Sequence, residues 1–90
     1  MKKAVVTVVG KDAVGIIAKV CTYFAGNRIN ILDISQTIVG GYFNMMMIVD
    51  MEGIEKPFKD TAHELEQIGE EIGVIINLQR EDIFEVMHRI

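Results

Sequence analysis

The stretch Gly10-Lys11-Asp12-Ala13-Val14-Gly15-Ile16, followed fifteen residues after Gly15 by Asn30, combines residue types and spacing suited to holding a ligand. Glycines let a backbone turn tightly and come close to a bound molecule. A helix that begins just after them presents unpaired N–H groups and the positive end of its dipole. The chemistry this implies is the binding of a carboxylate or a phosphate. Chemical transformation of that anion lacks its usual tools, because the loop offers only Lys11, a flexible point charge, and no arginine fork or nucleophile. A structural reading fits the same residues: Asp12 as the N-cap of the helix, Gly15 as a close-packing glycine, and Asn30 as a side chain satisfying backbone groups at a strand entrance. The residues alone leave both readings open.

The elements that must position the loop follow from periodicity. Ala4–Val9 is valine-rich and apolar at both parities, which predicts a central strand, β1. From Gly15 onward, Ile17, Val20, Cys21 and Phe24 recur at helical spacing and Gly26-Asn27 closes the run, predicting a helix, α1. Ile29–Val39 alternates, with Ile29, Ile31, Asp33, Ser35 and Thr37 expected on one face; this is β2. Gly40-Gly41 signals a two-residue hairpin into Tyr42–Met51, β3, where Phe43, Met45, Met47 and Val49 share a parity. Pro57 suits a first helical turn, and Phe58, Ala62, Leu65, Ile68 and Ile72 repeat until Gly73, giving α2. Val74–Gln79 alternates as β4, and Ile83, Phe84, Met87 and Ile90 predict a short C-terminal helix.

Two split βαβ units with right-handed crossovers give an α+β fold, a ferredoxin-like βαββαβ sandwich with a four-stranded antiparallel sheet and two helices on one face. The 90 residues are expected to form a single domain, 1–90. Because β1 and much of β3 are apolar at both parities, the helix-free face is expected to need covering, most simply by a second copy of the chain.

Half of the residues are apolar, and the formal net charge is −4. Residues 1–45 carry five Lys/Arg against two Asp/Glu, and residues 46–90 carry four against eleven, so a broad basic face for direct nucleic-acid binding is not expected. The short N-terminal apolar run fits neither a signal peptide nor a membrane span, and one cysteine, Cys21, permits no internal disulfide; the chain reads as cytoplasmic. Cys21 is expected to be a buried small hydrophobe. Met45, Met46 and Met47 point alternately to core and to subunit contact, and Glu64, Glu66, Glu70 and Glu71 read as a solvated helix face. His63 and His88 lack partners at metal-ligand spacing, so neither a metal nor a cofactor is expected.

The order of elements, Asp12 followed after two intervening residues by Gly15-Ile16, and Asn30-Ile31 opening β2 together resemble the ACT domain over nearly the whole chain, although Val14 stands where that family usually has proline. The segments INILDISQT, FNMMMIVDM and EDIFEVMHRI are similar to short stand-alone members and to the halves of the glycine-cleavage-system repressor. The resemblance implies a non-enzymatic regulatory module, a homodimer or higher oligomer, with an amino acid or similar metabolite held between the β1–α1 loop of one copy and the start of β2 of another. It marks Asp12, Ala13, Val14, Gly15, Ile16, Asn30 and Ile31 as ligand-binding. Loop N–H groups would meet the ligand carboxylate, Asp12 its ammonium, and the Asn30 amide could donate and accept. Two alternatives stand beside it: a repressor-like regulator that docks a protein partner and binds no small molecule, and, more remotely, an acylphosphatase-like enzyme.

Overall fold

A strand that is apolar at both parities suits the middle of a sheet, and Lys3–Lys11 (β1) takes that place. In the computed structural model, which describes residues 2–11 and 15–83, β1 pairs antiparallel with Tyr42–Asp50 (β3) on one side and Val74–Arg80 (β4) on the other. Asn30–Val39 (β2) lies outside β3, giving the order β2-β3-β1-β4. Ile16–Gly26 (α1) and Phe58–Ile72 (α2) complete the βαββαβ order.

Directly opposed residues in an antiparallel pair share a face. The pairs Ala4↔Val49, Val6↔Met47 and Val8↔Met45, with Val6↔Leu78 and Val8↔Ile76, therefore form one apolar layer. Val20 and Phe24 of α1 and Leu65 of α2 close over it. Each side chain of this kind, fully buried, contributes roughly 1.5–3 kcal/mol. Gly40 and Gly41 both have positive φ, 57° and 83°, the geometry a type I′ hairpin demands.

Four expectations change. First, β1 runs on to Lys11, so Gly10 is a strand residue paired with Phe43 and Val74 rather than part of the loop. A Cβ on Gly10 would lie 2.7 Å from Val74 Cγ1, so the glycine serves strand packing.

Second, β2 does not keep one alternation. A bulge between Ile31 and Asp33 sets Ile31 opposite Val49 but Asp33 opposite Ile48, which leaves Leu32 as the extra residue. Beyond it, Ile34, Gln36 and Ile38 turn to the helix side, while Asp33, Ser35 and Thr37 turn to the open face. That face is consequently mixed, with Val9, Met46 and Ile75 exposed between Thr7, Asn44 and Asn77. Much of the apolar exposure moves to the sheet edge, where Ile34 is 46% and Ile38 57% exposed.

Third, the buried stripe of α1 is Ile16, Val20 and Phe24; Ile17 is exposed and Cys21 only half-buried. The cap position falls on Gly15 rather than Asp12. Fourth, the most deeply buried residues of α2 are Thr61, Leu65 and Gly69, with Phe58, Ala62, Ile68 and Ile72 only partly covered. Residues 81–83 are helical, and the remainder of the expected C-terminal helix lies outside the described residues.

Candidate functional site

Gly15 stands at the N-cap of α1 with φ 90° and ψ 1°, a left-handed conformation that favours glycine. Among the described residues nothing lies within 4 Å of where its Cβ would be, so conformation rather than crowding selects the residue. Gly15 has no side chain with which to cap α1, and no acidic residue sits in the first turn of the helix. Among the described residues no side chain takes the first amides of the helix or offsets its dipole, which is the arrangement an anion needs. Lys19 N–H donates to Gly15 O at 2.9 Å, closing the first helical turn.

Ile16 is 2% exposed and belongs to the core, so its possible contribution to a ligand is its backbone N–H alone. Asp12, Ala13 and Val14 lie outside the described residues. A shallow cleft of about 430 Å³ opens beside Gly15, bounded by Ala18, Lys19, Thr22 and Tyr23 of α1 and by Ile68 of α2. The Lys19 ammonium is 3.9 Å from Glu71, and both side chains are more than half exposed, so the pair leaves Lys19 available to a ligand.

Asn30 and Ile31 are elsewhere. Asn30 pairs with Asp50, and Asp50 pairs on its other side with Lys3, so Asn30 marks the end of the sheet where β1 begins. Ile31 is half-buried against the core opposite Val49. Gly15 follows the other end of β1. The 11 residues of α1 lie between Gly15 and the start of β2, a span of about 16 Å at the helical rise per residue. One chain does not bring Gly15 and Asn30 to a common ligand.

Behind the cleft, the Tyr23 hydroxyl donates to Glu64 Oε1 at 2.6 Å, and Lys56 Nζ donates to the same oxygen at 2.7 Å. Lys56 also stands 5.9 Å from the centroid of the Tyr23 ring. Burial, then the hydrogen bond to Glu64, hold the Tyr23 phenol well above its usual range. The bond from Lys56, then that from Tyr23, lower the Glu64 carboxyl. The cluster ties α1 to α2 through the loop that carries Lys56, so Glu64 does more than solvate a helix face. Lys56 and Glu64 are eight residues apart, but Tyr23 is 41 residues from Glu64, and only the helix pairing brings it in.

Among the described residues no group of three or more His, Cys, Asp or Glu is placed to hold a metal ion, and no helix is long and apolar enough to cross a membrane.

Comparison with known proteins places this geometry in a family context. A family model described as "ACT domain" matches residues 2–79. A UPF0237 protein of Bifidobacterium longum is 59% identical over 90 residues, covering 100% of both chains. Among solved structures, an ACT domain protein from Streptococcus pneumoniae superposes with a TM-score of 0.82 at 43% identity, over 93% of this chain and 94% of that one. A putative glycine cleavage system transcriptional repressor shares the fold, with a TM-score of 0.73 at 23% identity; the match covers 88% of this chain and 45% of the repressor.

Proposed function

The chain belongs to the ACT domain family, and from that membership we propose a non-enzymatic regulatory module that holds an amino acid or similar small metabolite between two copies of itself. The observation that carries this reading is the placement of Gly15 and Asn30 at opposite ends of the same sheet. Among the described residues β2 is an edge strand of 10 residues whose outer hydrogen-bonding groups meet no neighbouring strand, with Ile34 and Ile38 exposed beside them. Two such edges meeting antiparallel about a two-fold axis would set the start of one β2 beside the far end of the other. The Asn30 amide of each copy would then approach the α1 N-terminus of its partner. Backbone donors at Ile16 and Ile17 would take the ligand carboxylate, and Asn30 its polar remainder. Binding would tighten the dimer, because the ligand touches both halves.

Light scattering after gel filtration is expected to give a dimer, and Ile34→Lys with Ile38→Lys a monomer. Thermal melts with each amino acid at millimolar concentration test the ligand: one present at a hundred times its Kd stabilises the folded state by about 2.7 kcal/mol. For a domain of this length that is a rise on the order of 10 °C. A monomeric wild-type chain with no response to any amino acid would overturn the reading.

A further inference from the structure

We propose that the concavity at the other end of the sheet from Gly15 is a second binding site, one that takes a small, multiply charged oxyanion carrying an apolar group. This concavity of about 750 Å³ lies where β1 begins and β3 and β4 end, and the N-terminus of α2 forms one wall. Its size is that of sites for small metabolites.

Charge is the first argument. Lys2, Lys3, Lys56 and Arg80 all line the concavity, four of the nine Lys/Arg in a chain whose net charge is −4, against Glu55 and Asp82. No alternation or helical period explains the gathering, since the four cations come from the start of β1, the loop before α2 and the end of β4. Lys56 is turned toward Glu64, and Arg80 is held by Asp82 through Nη2 at 3.1 Å and Nε at 3.3 Å. That pairing fixes the plane of the guanidinium and leaves its remaining N–H groups to donate. Lys2 and Lys3 have no ion-pair partner among the described residues, and the backbone beneath them is anchored, with Met51 N–H donating to Lys2 O at 2.8 Å.

The α2 N-terminus is the second argument. Pro57, in extended conformation, occupies the N-cap position of this 15-residue helix, and no side chain caps it. Pro57 and Phe58 line the concavity, so the first amides of the helix add donors to the side-chain charge, while Asp60 in the first turn offsets part of the dipole. The floor is the third argument. Met51 is buried, and Ile54 and Phe58 are partly buried against the core, which offers an apolar surface beneath a cationic rim. Bare inorganic anions would use the rim alone. A phosphate monoester or dicarboxylate with a ring or alkyl body would use both.

The test is a titration of ¹⁵N-labelled full-length protein, followed by amide shifts, with phenyl phosphate, phenylsuccinate and inorganic phosphate as probes. The organic probes are expected to give saturable shifts at residues 2–4, 51, 54–58 and 80, with Gly15 and Ile16 still. Inorganic phosphate should bind about tenfold more weakly, the factor for one ring partly withdrawn from water. Tighter binding of phenyl phosphate assigns the site to phosphate esters, and tighter binding of phenylsuccinate to dicarboxylates. Lys3→Gln and Arg80→Gln, each confirmed as folded by its dispersed spectrum, should each weaken binding about fivefold through loss of a charge-assisted hydrogen bond. The proposal is overturned by the absence of saturation at 10 mM, by shifts confined to residues 15–19, by indifference to both substitutions, or by inorganic phosphate binding as well as the organic probes. Asn30 shares this end of the sheet, so the two sites are told apart at Gly15 and Ile16, which a ligand of the amino-acid site would shift and a ligand of this site would not.

Discussion

Replacing Gly69 by Ala sets two effects of known size against each other. Gly69 lies inside α2, and in a helix interior alanine is better than glycine by about 0.8–1 kcal/mol. Helix propensity alone therefore expects a more stable protein. The structure expects the opposite, because a Cβ there would stand 2.6 Å from the backbone oxygen of Val74 and 3.2 Å from Ile76 Cγ1. A side chain could swing aside, but Val74 is fixed in the β4 ladder opposite Gly10, and Gly10 in turn has no room to yield. Relief requires α2 to lift off the sheet, which loosens Leu65 and Ile76. Overpacking of this kind costs about 1–3 kcal/mol, and the upper part of that range applies where the obstacle is backbone. After the propensity gain, the net loss is about 1–2 kcal/mol, or a fall in Tm on the order of 10 °C. Thermal and urea unfolding followed by circular dichroism measure it, with Gly26→Ala as the internal control. Gly26 ends α1, and nothing lies within 4 Å of its Cβ position, so that substitution is expected to be neutral or stabilising by up to about 1 kcal/mol. A Gly69→Ala protein as stable as the Gly26→Ala protein would show that α2 does not sit as close to β4 as described.

Two further outcomes are expected. Arg28 has φ 59°, and Ile29 N–H donates to Phe24 O at 3.0 Å, so it occupies the left-handed position of a Schellman turn that usually takes glycine; Arg28→Gly should stabilise by about 0.5–1 kcal/mol, seen as a Tm rise of a few degrees, and a fall would count against the turn. The Glu64 carboxyl is held below its ordinary 4.5 by Lys56 and then Tyr23, so its contribution is present above that value and lost as pH falls through the lower folded value; Tm differences between wild type and Glu64→Gln, large at pH 7, should shrink toward pH 3, and parallel curves would contradict the cluster. The raised Tyr23 phenol acts with the other sign, present below its ordinary 10.0 and lost as pH climbs past it.

The order of elements was legible because its signals are local. The alternation through Phe43, Met45, Met47 and Val49, the Gly40-Gly41 turn, and the Pro57 to Gly73 frame each need only neighbours in the chain. What escaped was decided between elements. Ile16 and Ile17 are the same residue type, and only packing on the sheet selects the first for the core. Gly10 reads as a loop glycine until Val74 is placed beside it. Of the site, Gly15 was visible through its conformation, and its distance from Asn30 follows from β2 running parallel to β1. The cluster of Lys2, Lys3, Lys56 and Arg80 left no trace in spacing, because three separate elements contribute to it.

The bulge at Leu32 makes the character of β2 a matter of counting. Its residues alternate without a break in the sequence, and a single extra position in the pairing decides which half of them meets the helices and which meets the open face. Deleting Leu32 would only take out the extra position: Asp33 would stay opposite Ile48 and Ile34 opposite Met47, so both sets would keep their faces and the strand would lose its local bend. Pairing Leu32 into the ladder opposite Ile48 would instead exchange the two sets, turning Asp33, Ser35 and Thr37 toward the helices and moving Ile34 and Ile38 to the opposite surface. The sequence of the strand would be unchanged, yet the surface offered to a neighbouring molecule would be a different one. Substitution can adjust that surface residue by residue. A one-residue slip of the pairing would replace it in a single step.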